Sequence, residues 1–466
     1  MKVHSVNPFT NKTLHKYQAY SKKEIDSAIT RASAAIPKWS TNKTLRYKCL
    51  NKLKSALSVN GDKLQKLAQE ETGKLKPDFE AELFDVIDAI EYYETKYDQI
   101  KPDTSLKLNQ QGFPKSDLII DYVPYGVIAL IMPWNFPLYS PLMLTIVALV
   151  SGNVVLLKAS EHSTMFSKEI AELFQTAGFP KGVFQMIPGG EQTGKLLVKS
   201  SVNKIFFVGS VEGGKDIIAN AGTTPVQVEM GGNSAALVLK DADLDVAANG
   251  IAWGGTYHSG QDCVGIKRVY VVKAIADTFI QKLMDIVNGL RPGIDYGPYI
   301  TKSARNEVKR RIDDAVKNGA ELLTGGTIPN TKELRNGNWL YPSVLVYKDE
   351  KLELVKTETF GNVLPIRIVE DADDAIKHAN NTVYGLSNAV FSKDVKHAKK
   401  VAERLESGMV FINDTVIAIP GWDHWTGWKS SGFGTVESKL MQCMKKKVVS
   451  INKSGKGRAF WYPYNA

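Results

Sequence analysis

Between Val123 and Leu157 the chain carries no charged residue, and a stretch so apolar has to be kept from water. A membrane-spanning helix needs roughly 20 uninterrupted apolar residues. Pro124, Pro133, Pro137 and Pro141 break this stretch repeatedly, with Trp134-Asn135 in its middle, so no continuous helix fits. The remaining solution is a buried core of strands and a helix. Residues 127–132 suit a fully buried strand, 141–150 a helix and 154–157 a second strand. The alternation continues with a helix at 163–177, a strand at 183–187, a helix at 191–200, a strand at 204–208 and a helix at 213–221. Strands that are apolar throughout and separated by helices belong to a parallel sheet covered on both faces. Ligands bind such sheets where strand ends meet helix starts.

Upstream, Ser21 and Glu24 form a capping box that opens a helix. Amphipathic patterns follow at 42–59 and 61–75, then an acidic and aromatic helix at 77–97 and a strand-rich connector at 112–124. Beyond Glu229 a second α/β alternation begins. Its strands are expected at 234–239, 268–272, 342–346, 363–369 and 409–412, its helices at 243–256, 274–289, 303–318, 371–380 and 394–406. At 466 residues the chain has room for two or three domains. The 59 Lys and Arg against 49 Asp and Glu give a net charge of +10, a diffuse surface excess that does not by itself imply nucleic acid. Three cysteines without a C-x-x-C pair cannot build a disulfide framework, so a reducing, cytoplasmic setting is expected. The N-terminus has no signal-peptide layout. Seven histidines show no ligand spacing, so no metal is expected.

Three residues stand where chemistry is feasible. Cys263 lies in Ser-Gly-Gln-Asp-Cys-Val-Gly, where flanking glycines permit a tight turn; a small buried thiol is the alternative. Glu229 ends an apolar strand before Gly-Gly, as suits a general base or merely a solvated carboxylate. Asn135, in Pro-Trp-Asn-Phe-Pro, is either an oxyanion donor or a turn former. For phosphate, Gly209-Ser210 ends a strand and opens a helix, although no G-x-G-x-x-G or P-loop spacing is present. Lys158 and Glu161 follow the strand ending at Leu157.

Together, Pro-Trp-Asn-Phe-Pro at 133–137, Glu-Met-Gly-Gly at 229–232, Gly-Gln-x-Cys at 260–263 with Arg268, Glu-Thr-Phe-Gly at 358–361 and Lys-Ser-Ser-Gly-Phe-Gly at 429–434 resemble the aldehyde dehydrogenase superfamily. The resemblance runs from about Asn7 to about Lys447. It implies Cys263 as nucleophile, Asn135 with the Cys263 amide as oxyanion donors, and Glu229 as the base that hydrolyses a thioester. It also implies Trp134, Lys158, Glu161, Gly209, Ser210, Glu358 and Phe360 as contacts to NAD or NADP. Glu161 favours NAD, because a carboxylate there accepts from a ribose hydroxyl and repels a phosphate. Phe136, Tyr139, Asp262, Val264 and Trp425 are expected around the substrate.

The implied architecture is an α/β fold of two α/β domains with a small β oligomerisation arm. The parallel-sheet dinucleotide-binding domain takes 1–112 and 125–228, the catalytic domain 229–438, the arm 113–124 and 439–455, and a tail 456–466. A homodimer or homotetramer is expected, acting on a small-molecule aldehyde without a nucleic-acid or membrane partner. In texture the chain resembles the succinate-semialdehyde branch. An aminoaldehyde, steered by Asp262, or a hydroxyaldehyde is the alternative, followed by a CoA-acylating enzyme and by a non-enzymatic binding protein with a basic C-terminal face. Asn233 and Asn362 stand where the family commonly has lysine and proline, and segment 414–428 lacks the usual Pro-Phe-Gly-Gly.

Overall fold

The structure, a computed structural model, describes residues 2–105, 113, 115–415, 422–458 and 460–462. Five strands form a wholly parallel sheet: β1 (Val127–Ile131), β2 (Val154–Lys158), β3 (Phe184–Met186), β4 (Lys204–Gly209) and β5 (Val226–Met230), in the order β3-β2-β1-β4-β5. Every residue of β1 and β2 is buried, so the charge-free stretch is the sheet's centre. Its helix, Tyr139–Val150, is buried on nearly all sides, and no helix among the described residues is long and apolar enough to cross a membrane.

The second sheet has seven strands: β6 (Ser234–Val238), β7 (Ile266–Val272), β8 (Glu321–Thr324), β9 (Ser343–Val346), β10 (Val363–Val369), β11 (Ser387–Phe391) and β12 (Met409–Ile412). The order is β8-β9-β10-β7-β6-β11-β12, parallel except for the edge pair β8 and β9. The last strand of the first sheet ends at Met230 and β6 of the second begins at Ser234. Glu229 therefore stands where the chain passes from one sheet to the other.

Two strands appear where the apolar pattern predicts none. β11 starts with Ser387-Asn388, polar yet buried, because both are hydrogen-bonded: Ser387 Oγ to Ser234 Oγ at 2.7 Å, and Asn388 Oδ1 from Ala235 N–H at 2.9 Å. β8 is a short edge strand opening with the exposed Glu321. An N-terminal hairpin, Lys2–Val6 with Thr13–Gln18, also lacks an apolar run. The helix expected at 394–406 spans Val395–Ala402. The capping box forms, with Ser21 N–H donating to Glu24 Oε2 at 2.7 Å. Ser116–Pro124 pairs antiparallel with Met444–Asn452, placing Lys445, Lys446 and Lys447 on an exposed ladder. Residues 416–421 of the segment 414–428, and 459 and 463–466 of the C-terminal tail, lie outside the described residues.

Candidate active site

The loop before Cys263 is bent by three successive residues in the left-handed region: His258 (φ 47°), Ser259 (φ 58°) and Gly260 (φ 67°). A Cβ on Gly260 would lie 2.2 Å from the carbonyl oxygen of Gly361, so only glycine fits there. Neighbours hold the strained loop in place. Gln261 Nε2 donates to the carbonyls of His258 (3.0 Å) and Pro298 (3.2 Å), and its Oε1 accepts from Ile300 N–H at 2.9 Å. The buried Lys267 ammonium donates to Gly260 O. Burial pushes the Cys263 thiol well up, the Asp262 and Glu358 carboxyls push it the same way, and Lys267 opposes them.

Asn135 faces this loop, its Nδ2 donating to Gln261 O at 3.0 Å. A primary amide has a second N–H, which is left for a ligand. The Asn135 backbone is held from behind: Lys74 Nζ donates to Asn135 O at 2.9 Å and is ion-paired with Glu82, and both side chains are almost fully buried. Glu82 Oε2 in turn accepts from the N–H groups of Leu138 (3.1 Å) and Tyr139 (2.8 Å), at the start of the helix Tyr139–Val150. The ammonium also lies 3.9 Å from the centre of the Phe136 ring.

Glu229 is buried at the end of β5. Its Oε1 is ion-paired with Lys439, from the short helix Lys439–Gln442, its Oε2 is buried, and the Gln227 side chain and Gly427 N–H are lesser hydrogen-bonding influences on the carboxyl. Burial raises the Glu229 carboxyl and Lys439 opposes the rise. Cys263, Asn135 and Glu229 line one pocket of about 690 Å³, with Phe136, Tyr139 and Trp425 among its walls. Asp262 and Val264 do not line it. Asp262 is turned inward instead: Oδ1 accepts from Val264 N–H at 3.1 Å and burial raises its carboxyl, against Lys267. The structure thus brings three of the five expected substrate residues to the walls of this pocket, while Asp262 lies buried beside Cys263 and does not line it.

A second, larger cleft of about 1370 Å³ opens where β1, β2 and β4 end. Trp134, Lys158, Glu161, Gly209 and Ser210 line it. Ser210 caps the helix Val211–Asn220, accepting from Gly213 N–H at 3.1 Å, so that helix points its unsatisfied amides into the cleft. Lys158 and Glu161 pair at 3.6 Å. Glu358 and Phe360 do not line this cleft. Glu358 accepts from Gly232 N–H at 3.2 Å, and Phe360 meets the Trp134 ring edge-on at 6.1 Å.

The family model described as the aldehyde dehydrogenase family matches residues 1–449. The chain belongs to this family. It is an enzyme, an NAD(P)-dependent aldehyde dehydrogenase. It is 31% identical over 451 residues to betaine aldehyde dehydrogenase of Bacillus subtilis, covering 93% of this chain and 90% of that protein. It is 30% identical to the D-glyceraldehyde dehydrogenase (NADP(+)) of Thermoplasma acidophilum, over 97% and 94% of the two chains. Among solved structures, a betaine aldehyde dehydrogenase mutant of Staphylococcus aureus in complex with NAD+ superposes with a TM-score of 0.93 at 28% identity, covering 99% and 96%. The cleft of this aldehyde dehydrogenase has the chemistry a dinucleotide needs: a helix N-terminus for phosphate, a carboxylate and a lysine at a strand end, and an indole wall.

Sequence reasoning does not find Lys74, Glu82, Lys267 and Lys439. Lysines and glutamates ordinarily read as solvated, and no local motif marks these four. The two departures from the family pattern are buried, and each makes a side-chain hydrogen bond, although Asn233 Oδ1 takes none from a described residue. Asn233 Nδ2 donates to Val355 O at 2.7 Å, and Asn362 Oδ1 accepts from the Tyr299 hydroxyl at 2.6 Å.

Proposed function

We propose that this enzyme oxidises a small, uncharged hydroxylated aldehyde to its carboxylic acid without CoA, with Cys263 as nucleophile and Glu229 as base. One observation carries the reading. Cys263, Asn135 and Glu229 meet in a single pocket whose charged lining groups, Glu229 and Lys439, are paired with each other. An aldehyde with a quaternary ammonium would find no free carboxylate there and would depend on the aromatic walls alone, where the Lys74 ammonium already covers one face of Phe136. Succinate semialdehyde, expected from the sequence, would bring a carboxylate to a lysine already engaged. Ser140, Tyr139 and Gln227 offer neutral hydrogen-bonding groups to a hydroxylated substrate. The D-glyceraldehyde dehydrogenase relative supports this class.

Cys263 Sγ attacks the carbonyl carbon and gives up its proton to water in the pocket as it does so, because burial keeps the resting thiol neutral. The free N–H of Asn135 and the Cys263 backbone N–H receive the oxyanion. A nicotinamide dinucleotide, when bound, supplies the hydride acceptor. Re-forming the carbonyl leaves a thioester on Cys263. Glu229 takes a proton from water, the hydroxide adds to the thioester, and the thiolate leaves. For the cofactor, Trp134, Lys158, Glu161, Gly209 and Ser210 form the binding wall, and Glu161 favours NAD over NADP. Glu358 and Phe360 act from beside Gly232 and Trp134. Residues 1–112 and 125–228 serve the cofactor, 229–438 the chemistry. The ladder of Ser116–Pro124 with Met444–Asn452 joins copies into a homodimer or homotetramer.

The test is the initial rate of reduced-nicotinamide formation with NAD and NADP side by side. The substrates are glyceraldehyde, lactaldehyde, betaine aldehyde and succinate semialdehyde, without CoA. The hydroxyaldehydes are expected to give the highest kcat/KM. A clear preference for betaine aldehyde or succinate semialdehyde would overturn the substrate class, and an absolute need for CoA would overturn the hydrolytic reaction.

A further inference from the structure

The lysine that meets the base comes from the far end of the chain. Lys439 opens a four-residue helix that several side chains fix in place. Ser438 Oγ accepts from Met441 N–H at 3.3 Å, and Asp423 Oδ1 accepts from Leu440 N–H at 3.1 Å. Gln442 Nε2 donates to Thr435 Oγ1 at 2.9 Å and to Glu437 O at 2.7 Å. Leu440, Cys443 and Met444 pack into the same apolar core as β1 and β2. From this mount the ammonium reaches Glu229 Oε1, the two side chains being 8% and 10% exposed. The ion pair holds Oε1 and Oε2 is buried, while the Gln227 side chain and the Gly427 backbone N–H are lesser hydrogen-bonding influences on the same carboxyl.

We propose that Lys439 is a positioning residue for Glu229: it holds Oε1 so that the ionised carboxylate presents Oε2 to the water that hydrolyses the thioester. This rests on the base role given to Glu229 above. The groups around the pair are compatible with it. Cys263, Tyr93 and Tyr139 share the pocket with Glu229, and Lys204, Glu437, Cys443 and Asp423 surround Lys439. Burial favours the neutral acid, and the leading influence against it is Lys439. A bare Glu229 would remain protonated to higher pH, so without Lys439 the rise of thioester hydrolysis with pH has to move upward.

The experiment is rapid-mix kinetics of the full-length enzyme with glyceraldehyde and NAD. It compares wild type, K439M, K439R, E229Q and E229Q/K439M across a pH series, with a thermal melt of each. In K439M the first turnover of hydride transfer is expected to stay within about twofold, while thioester hydrolysis falls ~10–100-fold at neutral pH and recovers on the alkaline side. K439R restores most of the rate, and in the E229Q background K439M adds no more than about a twofold loss. An unchanged hydrolysis rate and pH profile in K439M would overturn the proposal. So would an additive loss in the double variant, or an effect confined to KM for anionic aldehydes. If K439M fails to fold, K439Q replaces it in both the wild-type and E229Q backgrounds, with the same expected and contradicting results. Absence of any first-turnover hydride transfer in wild type would instead refute the nucleophile and its reaction.

Discussion

Asn135 shows how one side chain can be aimed by groups that never touch a substrate. Its amide is split between Gln261 O and the pocket, and its carbonyl is held by a lysine with no solvent exposure. Replacing it with alanine removes one oxyanion donor, and N135A is expected to lower kcat by about 10²–10³ with cofactor affinity retained. C263S should abolish turnover and still bind the dinucleotide, as read by quenching of protein fluorescence; substantial dehydrogenase activity in it would remove Cys263 from the nucleophile role. Both residues are legible in the sequence through the family resemblance of the motifs around them; their proline and glycine neighbours alone leave a buried thiol and a turn former equally open. Lys74 and Glu82 are not, since only tertiary packing distinguishes a buried lysine from a solvated one. Asp262 is a further example. Its place beside the nucleophile suggests a role toward substrate in the sequence, and in the fold its carboxyl is buried next to Cys263, where it raises the thiol.

At the scale of elements, the helix Lys76–Gln99 lends Glu82 to the start of another helix, Tyr139–Val150, and Lys74 completes the link to the Asn135 loop. Removing one partner of a buried ion pair leaves the other uncompensated. K74M is therefore expected to lower unfolding stability by about 3–5 kcal/mol. E82L introduced with K74M should recover part of that, because an apolar pair needs no counter-charge. Equilibrium urea unfolding of the single and double variants measures both, and a K74M variant as stable as wild type would show that the pair does not hold this junction. The elements themselves are largely legible where apolar runs are long: β10 and β12 fall on the expected residues. β11 is hidden because it opens with the polar, hydrogen-bonded Ser387 and Asn388, which leave only Ala389, Val390 and Phe391 as its apolar run.

Over the whole molecule the site belongs to neither sheet alone. Glu229 ends the first sheet, Cys263 precedes β7 of the second, and Lys439 returns from the C-terminal region to meet Glu229. The crossing buries Glu358 against Gly232, and burial, opposed by Lys267, raises its carboxyl from 4.5 to about 7. A carboxyl raised on folding stabilises the fold fully below its unfolded pKa and loses that contribution as pH rises through the folded one. E358Q should thus be the more stable form at about pH 8, by up to about 3 kcal/mol, with the advantage disappearing near about pH 5. Urea melts at the two pH values check the sign, and an advantage that grows on acidification would refute it.

The central claim is that one aldehyde becomes a thioester on Cys263 before Glu229 clears it. The most direct measurement is intact and peptide mass analysis of E229Q quenched after mixing with glyceraldehyde and NAD. The account predicts one equivalent of reduced nicotinamide per active site and a matching acyl mass increment on the peptide carrying Cys263. Full multiple-turnover activity without an adduct, or an acyl group on another residue, would contradict it.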